Sequence, residues 1–159
     1  MIRYQPIGVI YSPFTEAKGT PIQPTAAGDI SGIVEISPDY APGLKDIEGF
    51  SHLILIYHLH LIEQSSLLVK PFLDNELHGI FATRSPSRPN SIGLSVVRLE
   101  KVEGPRLHVL DVDIIDGTPL LDIKPYVAHF DIREGTRCGW FENNIHKLPT
   151  VRDDGRFIK

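Results

Sequence analysis

The sequence predicts a mainly β fold: a single small β-barrel with short helices and long connecting loops. Three observations carry that expectation. Apolar residues come in short runs, several of them alternating with polar residues at the period of a half-buried strand. Glycine and proline number 13 each, which favours many short elements joined by turns over long helices. No repeat, heptad or low-complexity segment interrupts this pattern. With 159 residues and 42% hydrophobic content, the chain is long enough for one core and is most simply one domain.

Ile7 to Tyr11 reads as a strand ended by Ser12-Pro13, and Ile30 to Ile36 as a second ended by Ser37-Pro38. Residues 15–29 between them form a loop too long for an idle connection, so it is expected to be either functional or disordered. Tyr40 to Ile47 has room for one or two helical turns despite Pro42 and Gly43. Phe50 to Leu61 carries the clearest strand pattern. Leu53, Leu55, Tyr57, Leu59 and Leu61 share one face, and His52, Ile54, Ile56, His58 and His60 share the other. Gly79 to Thr83 reads as a short strand. Ile92 to Val102 and Leu107 to Ile115 follow, joined at Gly104-Pro105. In the latter, Leu110, Val112 and Ile114 alternate with Asp111 and Asp113, so the apolar set is expected to face the core. Leu120 to Val127 is extended, 139–147 holds a short helix, and the chain is expected to fray from Arg152.

Composition narrows the function. A formal net charge of -4 with 23% charged residues is not the footprint of a protein that coats nucleic acid through bulk charge. An RNA contact would need a local basic patch or a second subunit. The single cysteine, Cys138, allows no intrachain disulfide; it is expected to be a packed thiol in an intracellular protein. The amino-terminal residues lack the apolar core of a signal peptide, and the longest apolar run, Leu53 to Tyr57, is far too short to cross a bilayer. A soluble, cytoplasmic protein is the expectation.

The segment from Gly79 to Ser95 is the most informative. Pro86 and Pro89 forbid a regular helix and hold Arg84 and Arg88 on a stiff connector. Two permanently charged forks on such a connector suit anion or nucleotide recognition; pairing with surface carboxylates is the plainer alternative. No Gly-x-Gly-x-x-Gly, Walker A or Gly-x-Ser-x-Gly sequence is present, which disfavours Rossmann, P-loop and α/β-hydrolase sites. His58, His60 and Glu63 resemble half of a cupin metal site, although the glutamate comes one residue early. Asp116-Gly117-Thr118-Pro119 reads as a tight turn whose backbone and carboxylate either close the turn or meet an amine, a ribose hydroxyl or a purine edge. Asp122 and Lys124 are spaced to form an ion pair.

Taken together, residues 46–60, 79–95 and 116–126, with Ile7 to Phe14 and Pro21-Ile22-Gln23, resemble the signature blocks of the TrmO (TsaA-like, YaeB-like) family over about residues 5–142. The Thr-Arg-Ser-Pro-x-Arg-Pro-Asn-x-Ile-Gly-Leu-Ser block is long and specific. The resemblance implies an S-adenosylmethionine-dependent methyltransferase built on one β-barrel. It implies methylation of N6 of N6-threonylcarbamoyladenosine beside the tRNA anticodon, and a homodimer with the donor near the subunit interface. It assigns donor contacts to Pro21, Gln23, His60, Leu61, Arg84, Leu94, Asp116, Gly117, Thr118 and Pro119. Arg88 and Asn90 are candidates for the RNA side, and His60 and Tyr126 for a general base; no metal is implied.

Ile22 stands where many members carry arginine, and Ser91 where many carry proline. The C-terminal domain of longer bacterial members has no counterpart here, so residues 1–142 are expected to form the domain and 143–159 an extension. Three other functions stay open: the same methyl transfer to another nucleoside or small molecule, a cupin-like metal enzyme, and a non-catalytic module that binds adenosylmethionine or RNA and transmits a signal.

Overall fold

The computed structural model describes residues 1–157; the last two positions of the expected extension lie outside the described residues. The strands are β1 (Gly8–Tyr11), β2 (Gly32–Ile36), β3 (His52–His58), β4 (Leu68–Val69), β5 (His78–Gly79), β6 (Ile92–Glu103), β7 (Arg106–Leu110) and β8 (Thr118–Pro125). Six of them close a barrel in the order β1-β2-β7-β6-β3-β8, with every neighbour antiparallel and β8 returning to β1. Closure leaves no unpaired edge on the barrel. β4 and β5 form a separate ribbon. Among the described residues helix is confined to α1 (Ala128–Asp131) and short 3-10 turns, including Pro38–Leu44 and Ile47–Gly49, where Pro42 and the glycines limit it.

Alternation explains the core. Ile10, Val34, Leu53, Leu55, Val97, Leu107 and Leu120 point inward and are wholly buried. On β3 the expected two faces hold through Tyr57. The strand stops at His58, however, and Leu59 N–H bonds Ser91 C=O at 2.8 Å. His60 and Leu61 therefore stand in the turn beyond the strand and do not continue its faces.

The expectation for 107–115 needs a second correction. Leu107 and Val109 face inward, but β7 ends at Leu110, which is only half-buried, and the next buried residues are Val112 and Ile114. Asp111 reverses the phase by adopting a left-handed backbone (φ 68°), which a short polar side chain tolerates better than a branched one. Arg98 on β6 grips it, Nε to Oδ2 at 2.6 Å and Nη2 to Oδ1 at 2.8 Å, while Nη2 also reaches Asp29 at 2.5 Å.

Three smaller differences follow. After β5 the chain makes a 3-10 turn (Ile80–Ala82) where a strand was expected, and Thr83 hydroxyl bonds back to Ile80 C=O. Cys138 is exposed, not packed. The segment from Arg152 is docked, not frayed: it bridges Pro21, and Asp153 exchanges backbone bonds with Gly19 (2.6 Å) and Thr20 (2.9 Å).

Gly93 pairs with Tyr57 across β6 and β3, and a Cβ at this position would overlap the tyrosine ring. Gly93→Ala is expected to lower stability by ~1–3 kcal/mol, read from the urea midpoint at constant slope. A midpoint equal to wild type would mean that the ring has room to move.

Candidate functional site

At the barrel end where β3 finishes and β6 and β8 begin lies a cavity of about 370 Å³. Its inner wall is Tyr57, Gly93, Asp113, Ile114, Ile115 and Thr118. Its sides are Leu59, His60 and Leu61 from the turn after β3, with Ile92 and Leu94 from β6. Pro21, Ile22 and Gln23, the connector residues Thr83 to Pro86 with Arg88, and Trp140, Phe141, Asp153 and Phe157 complete it. It is of ordinary ligand size and mostly apolar, with a few polar groups.

The connector is built by its own hydrogen bonds. Thr83 hydroxyl donates to Ile80 C=O at 2.8 Å and accepts from Ser85 N–H at 3.2 Å. Arg88 Nη1 donates to the carbonyls of Ile80 (3.2 Å), Thr83 (2.8 Å) and Ser85 (3.2 Å). Arg88 thus holds the connector in shape. Arg84 projects from it, exposed, and donates to Gln23 Oε1 at 3.1 Å. Two side chains far apart in sequence meet at the cavity through that bond.

The remaining sequence candidates divide. Pro21, Gln23, His60, Leu61, Arg84, Arg88, Leu94 and Thr118 line the cavity; Asp116, Gly117, Pro119, Asn90 and Tyr126 do not. Asp116 serves the turn: its Oδ1 accepts from Ser12 N–H at 3.0 Å and its N–H donates to Phe14 C=O at 2.7 Å. Gly117 takes φ 82° and Pro119 lies opposite Val9 in the β1–β8 ladder. Tyr126 rests against the His52 ring, centroids 5.9 Å apart. Asn90 is exposed, and its carbonyl accepts from Ile92 N–H. Burial, followed by the neighbouring His58 charge, lowers the His60 pKa below the ordinary imidazole value. His58 and Glu63 are exposed, and no group of three His, Cys, Asp or Glu among the described residues is placed to hold a metal ion. Asp122 and Lys124 form the expected ion pair at 3.1 Å.

Sequence reasoning missed a polar chain in the inner wall, buried at Tyr57 and Ser95 and half-buried at Asp113. Ser95 Oγ donates to Asp113 Oδ1 at 2.7 Å, so the 2.7 Å contact of Tyr57 Oη with Ser95 Oγ is a donation from the tyrosine. Burial pushes the Asp113 carboxyl up to about 7, against the opposing pull of the Ser95 hydrogen bond, its own backbone and the Arg84 charge. Burial also raises the Tyr57 phenol, as does the Asp113 charge, so it stays a donor. One signal was available: a tyrosine on the inward face needs a polar partner, and Ser95 is the polar residue on the inward face of β6.

A closed antiparallel barrel with an apolar cavity at one end, an arginine fork at its mouth and an acid in its wall defines a small-molecule-binding barrel protein rather than a Rossmann enzyme. Residues 9–132 match the family described as tRNA-methyltransferase O N-terminal domain, and the chain belongs to that family.

A probable S-adenosyl-L-methionine-binding protein of Pyrococcus abyssi is 61% identical over 158 residues, covering 99% of this chain and 86% of its own. The human tRNA (adenine(37)-N6)-methyltransferase is 38% identical over 92% of this chain but only 36% of its own length. The crystal structure of TrmO from Pseudomonas aeruginosa superposes with a TM-score of 0.74 at 39% identity, covering 88% of this chain and 62% of that one. The chain therefore spans most of the archaeal relative and about a third of the human one.

The raised Asp113 carboxyl fixes the sign of a stability effect. Between the unfolded value near 4 and about 7, the folded state holds a proton that the unfolded state releases, so this group's contribution to stability falls as pH rises and is level above 7. Asp113→Asn is expected to remove that loss. Its melting temperature should gain on wild type from pH 4 to pH 7 and run parallel above. Parallel curves across the whole range would contradict the raised value.

Proposed function

We propose that the chain is an S-adenosylmethionine-dependent tRNA methyltransferase that modifies N6 of N6-threonylcarbamoyladenosine beside the anticodon. The observation that carries this reading is the convergence of Pro21, Gln23, His60, Leu61, Arg84, Leu94 and Thr118 on one cavity; these residues come from separate sequence blocks. The names of the archaeal and mammalian relatives support the donor and the tRNA, respectively.

The residues present fit the donor. Leu59, Leu61, Leu94, Ile114 and Ile115 give apolar walls for an adenine, Gln23 a neutral amide, and Arg84 a fork suited to a carboxylate. When bound, the donor supplies a methyl carbon on a positively charged sulfur. The protein's part is to orient the donor, exclude water with the apolar walls and handle one proton. His60, whose depressed pKa keeps it neutral near pH 7, takes the proton of the acceptor nitrogen in this reading. Tyr126 lies outside the cavity and is left without that role.

Asp116, Gly117 and Pro119 support the site by fixing the turn that carries Thr118. Arg88 contributes the shape of the connector, and exposed Asn90 faces the RNA in this proposal. The domain is taken as residues 1–142, with the extension closing the cavity. Ile92, Leu94 and Phe81 are exposed apolar residues near the cavity, and they are where a second copy would pair to form the homodimer. Among the described residues no helix is long and apolar enough to cross a membrane; a cytoplasmic location is proposed together with the tRNA substrate.

Calorimetric titration with S-adenosylmethionine tests the donor site. Arg84→Ala is expected to weaken binding by about tenfold or more with the melting temperature unchanged, since Arg84 is exposed and bonds only the Gln23 side chain. Unchanged affinity would remove Arg84 from the site. Transfer to tRNA carrying threonylcarbamoyladenosine, and not to unmodified tRNA, is the expected acceptor result. Transfer only to another nucleoside or small molecule would reassign the acceptor and keep the chemistry.

A further inference from the structure

Asp113 has no assigned role, yet it is the carboxyl in the inner wall of the cavity. One of its oxygens is fixed by Ser95, which is fixed in turn by Tyr57, both buried. Oδ2 lies outside this chain of side-chain bonds. Asp113 makes no ion pair within 4.0 Å among the described residues: Arg84 bonds Gln23, and the carboxylates of Asp111 and Asp29 are the ones that hold Arg98.

Asp113 is half-buried at the cavity, and a carboxylate partly withdrawn from water without a bound cation is costly; such groups gather at ligand sites, where a ligand can bring the opposite charge. Leu59, Leu94, Ile114 and Ile115 line the same cavity, and apolar walls lower the dielectric inside it, which strengthens attraction between a carboxylate and a cation bound there. The Tyr57–Ser95 chain holds the carboxyl in one orientation, and the missing Cβ of Gly93 makes room for the Tyr57 ring.

We propose that the Asp113 carboxylate is the counter-charge for the sulfonium of the bound methyl donor, so that Asp113 makes the site prefer the charged donor over its neutral demethylated product. This rests on the donor reading above. The arrangement also favours release after transfer, because the product no longer carries the sulfur-centred charge that Asp113 attracts. Arg84 is left for the carboxylate common to both ligands.

Binding of the cation favours the ionised carboxyl, so the preference must depend on pH. The other titratable or charged groups around the cavity are Tyr57 on β3, His60 in the turn after it, Arg84 and Arg88 in the connector, and Asp153 in the C-terminal segment. The donor and its product share a carboxylate that is ionised throughout; the sulfonium lowers the donor's amine pKa relative to the product's, and that difference is the same for wild type and Asp113→Asn, so comparing the two proteins removes it. The His60 contribution persists in an Asp113 variant and can be subtracted.

The test is calorimetry of the full chain with S-adenosylmethionine and, separately, S-adenosylhomocysteine, at pH 6 and pH 8, for wild type and Asp113→Asn. Each run is repeated in two buffers of different ionisation enthalpy to count protons. Wild type is expected to prefer the charged ligand more strongly at pH 8. At pH 6 it should release more protons on binding S-adenosylmethionine than on binding the product. Asp113→Asn should cut the preference by about tenfold and abolish the extra proton release. Ser95→Ala, which removes a bond that holds Asp113 ionised, should move the rise in preference to higher pH.

Equal loss of affinity for both ligands in Asp113→Asn would assign the carboxylate to the shared amine and overturn the sulfonium contact. A preference unchanged in that variant, or no extra proton release by wild type, would overturn it too; the wild-type result does not depend on how the variants fold. Failure of wild type to bind either ligand would overturn the donor reading itself, and this inference with it.

Discussion

The grip of Arg98 on Asp111 decides which way the chain faces as it leaves β7. Before it, odd-numbered residues point into the barrel; after it, even-numbered ones do. Had the strand continued without the left-handed residue, Val112 and Ile114 would have turned toward solvent and Asp113 into the core. The fork is suited to the task because it holds both oxygens of Asp111 and reaches Asp29 at the entry to β2, tying three segments together. The cavity wall inherits its side chains from that reversal: apolar residues close the barrel, and Asp113 is brought to Ser95 at the barrel mouth.

A second arginine does comparable work in the connector. Arg88 collects three carbonyls that a proline-rich segment cannot bond within a helix or ladder, which answers where those acceptors find partners. With the backbone so fixed, Arg84 needs only its own side chain to span from the connector to Gln23. The motif's two arginines are thus unlike in role. One is spent on shape and the other is presented to the cavity.

Much of the barrel was legible because its strands obey the period-two rule: Leu53, Leu55 and Tyr57 declared the inner face of β3 without ambiguity. The errors fell where local geometry overrides that rule. Nothing in the pattern Leu110-Asp111-Val112 signals a positive φ, since aspartate suits an outward strand position equally well. His60 seemed to extend β3 because alternation persists past the hydrogen-bonded ladder. The cavity's composition was legible in part, through the signature blocks that carry Arg84, Gln23 and Leu94. The wall from Trp140 to Phe157 was not, because its place depends on contacts such as the Trp140 indole with Ala82 C=O at 2.7 Å and Phe157 edge-on to Phe72. Such pairings join residues with no periodic relation.

The docking of Asp153 against Gly19 and Thr20 has a consequence for how the protein folds. Every barrel strand precedes in the chain the residues that seal the cavity. The barrel ladder contains none of those residues, so it can close while the cavity still lacks one wall, with Phe72 and the 17–23 loop uncovered. Until Phe157 docks, that apolar surface is open to chaperones or to other chains.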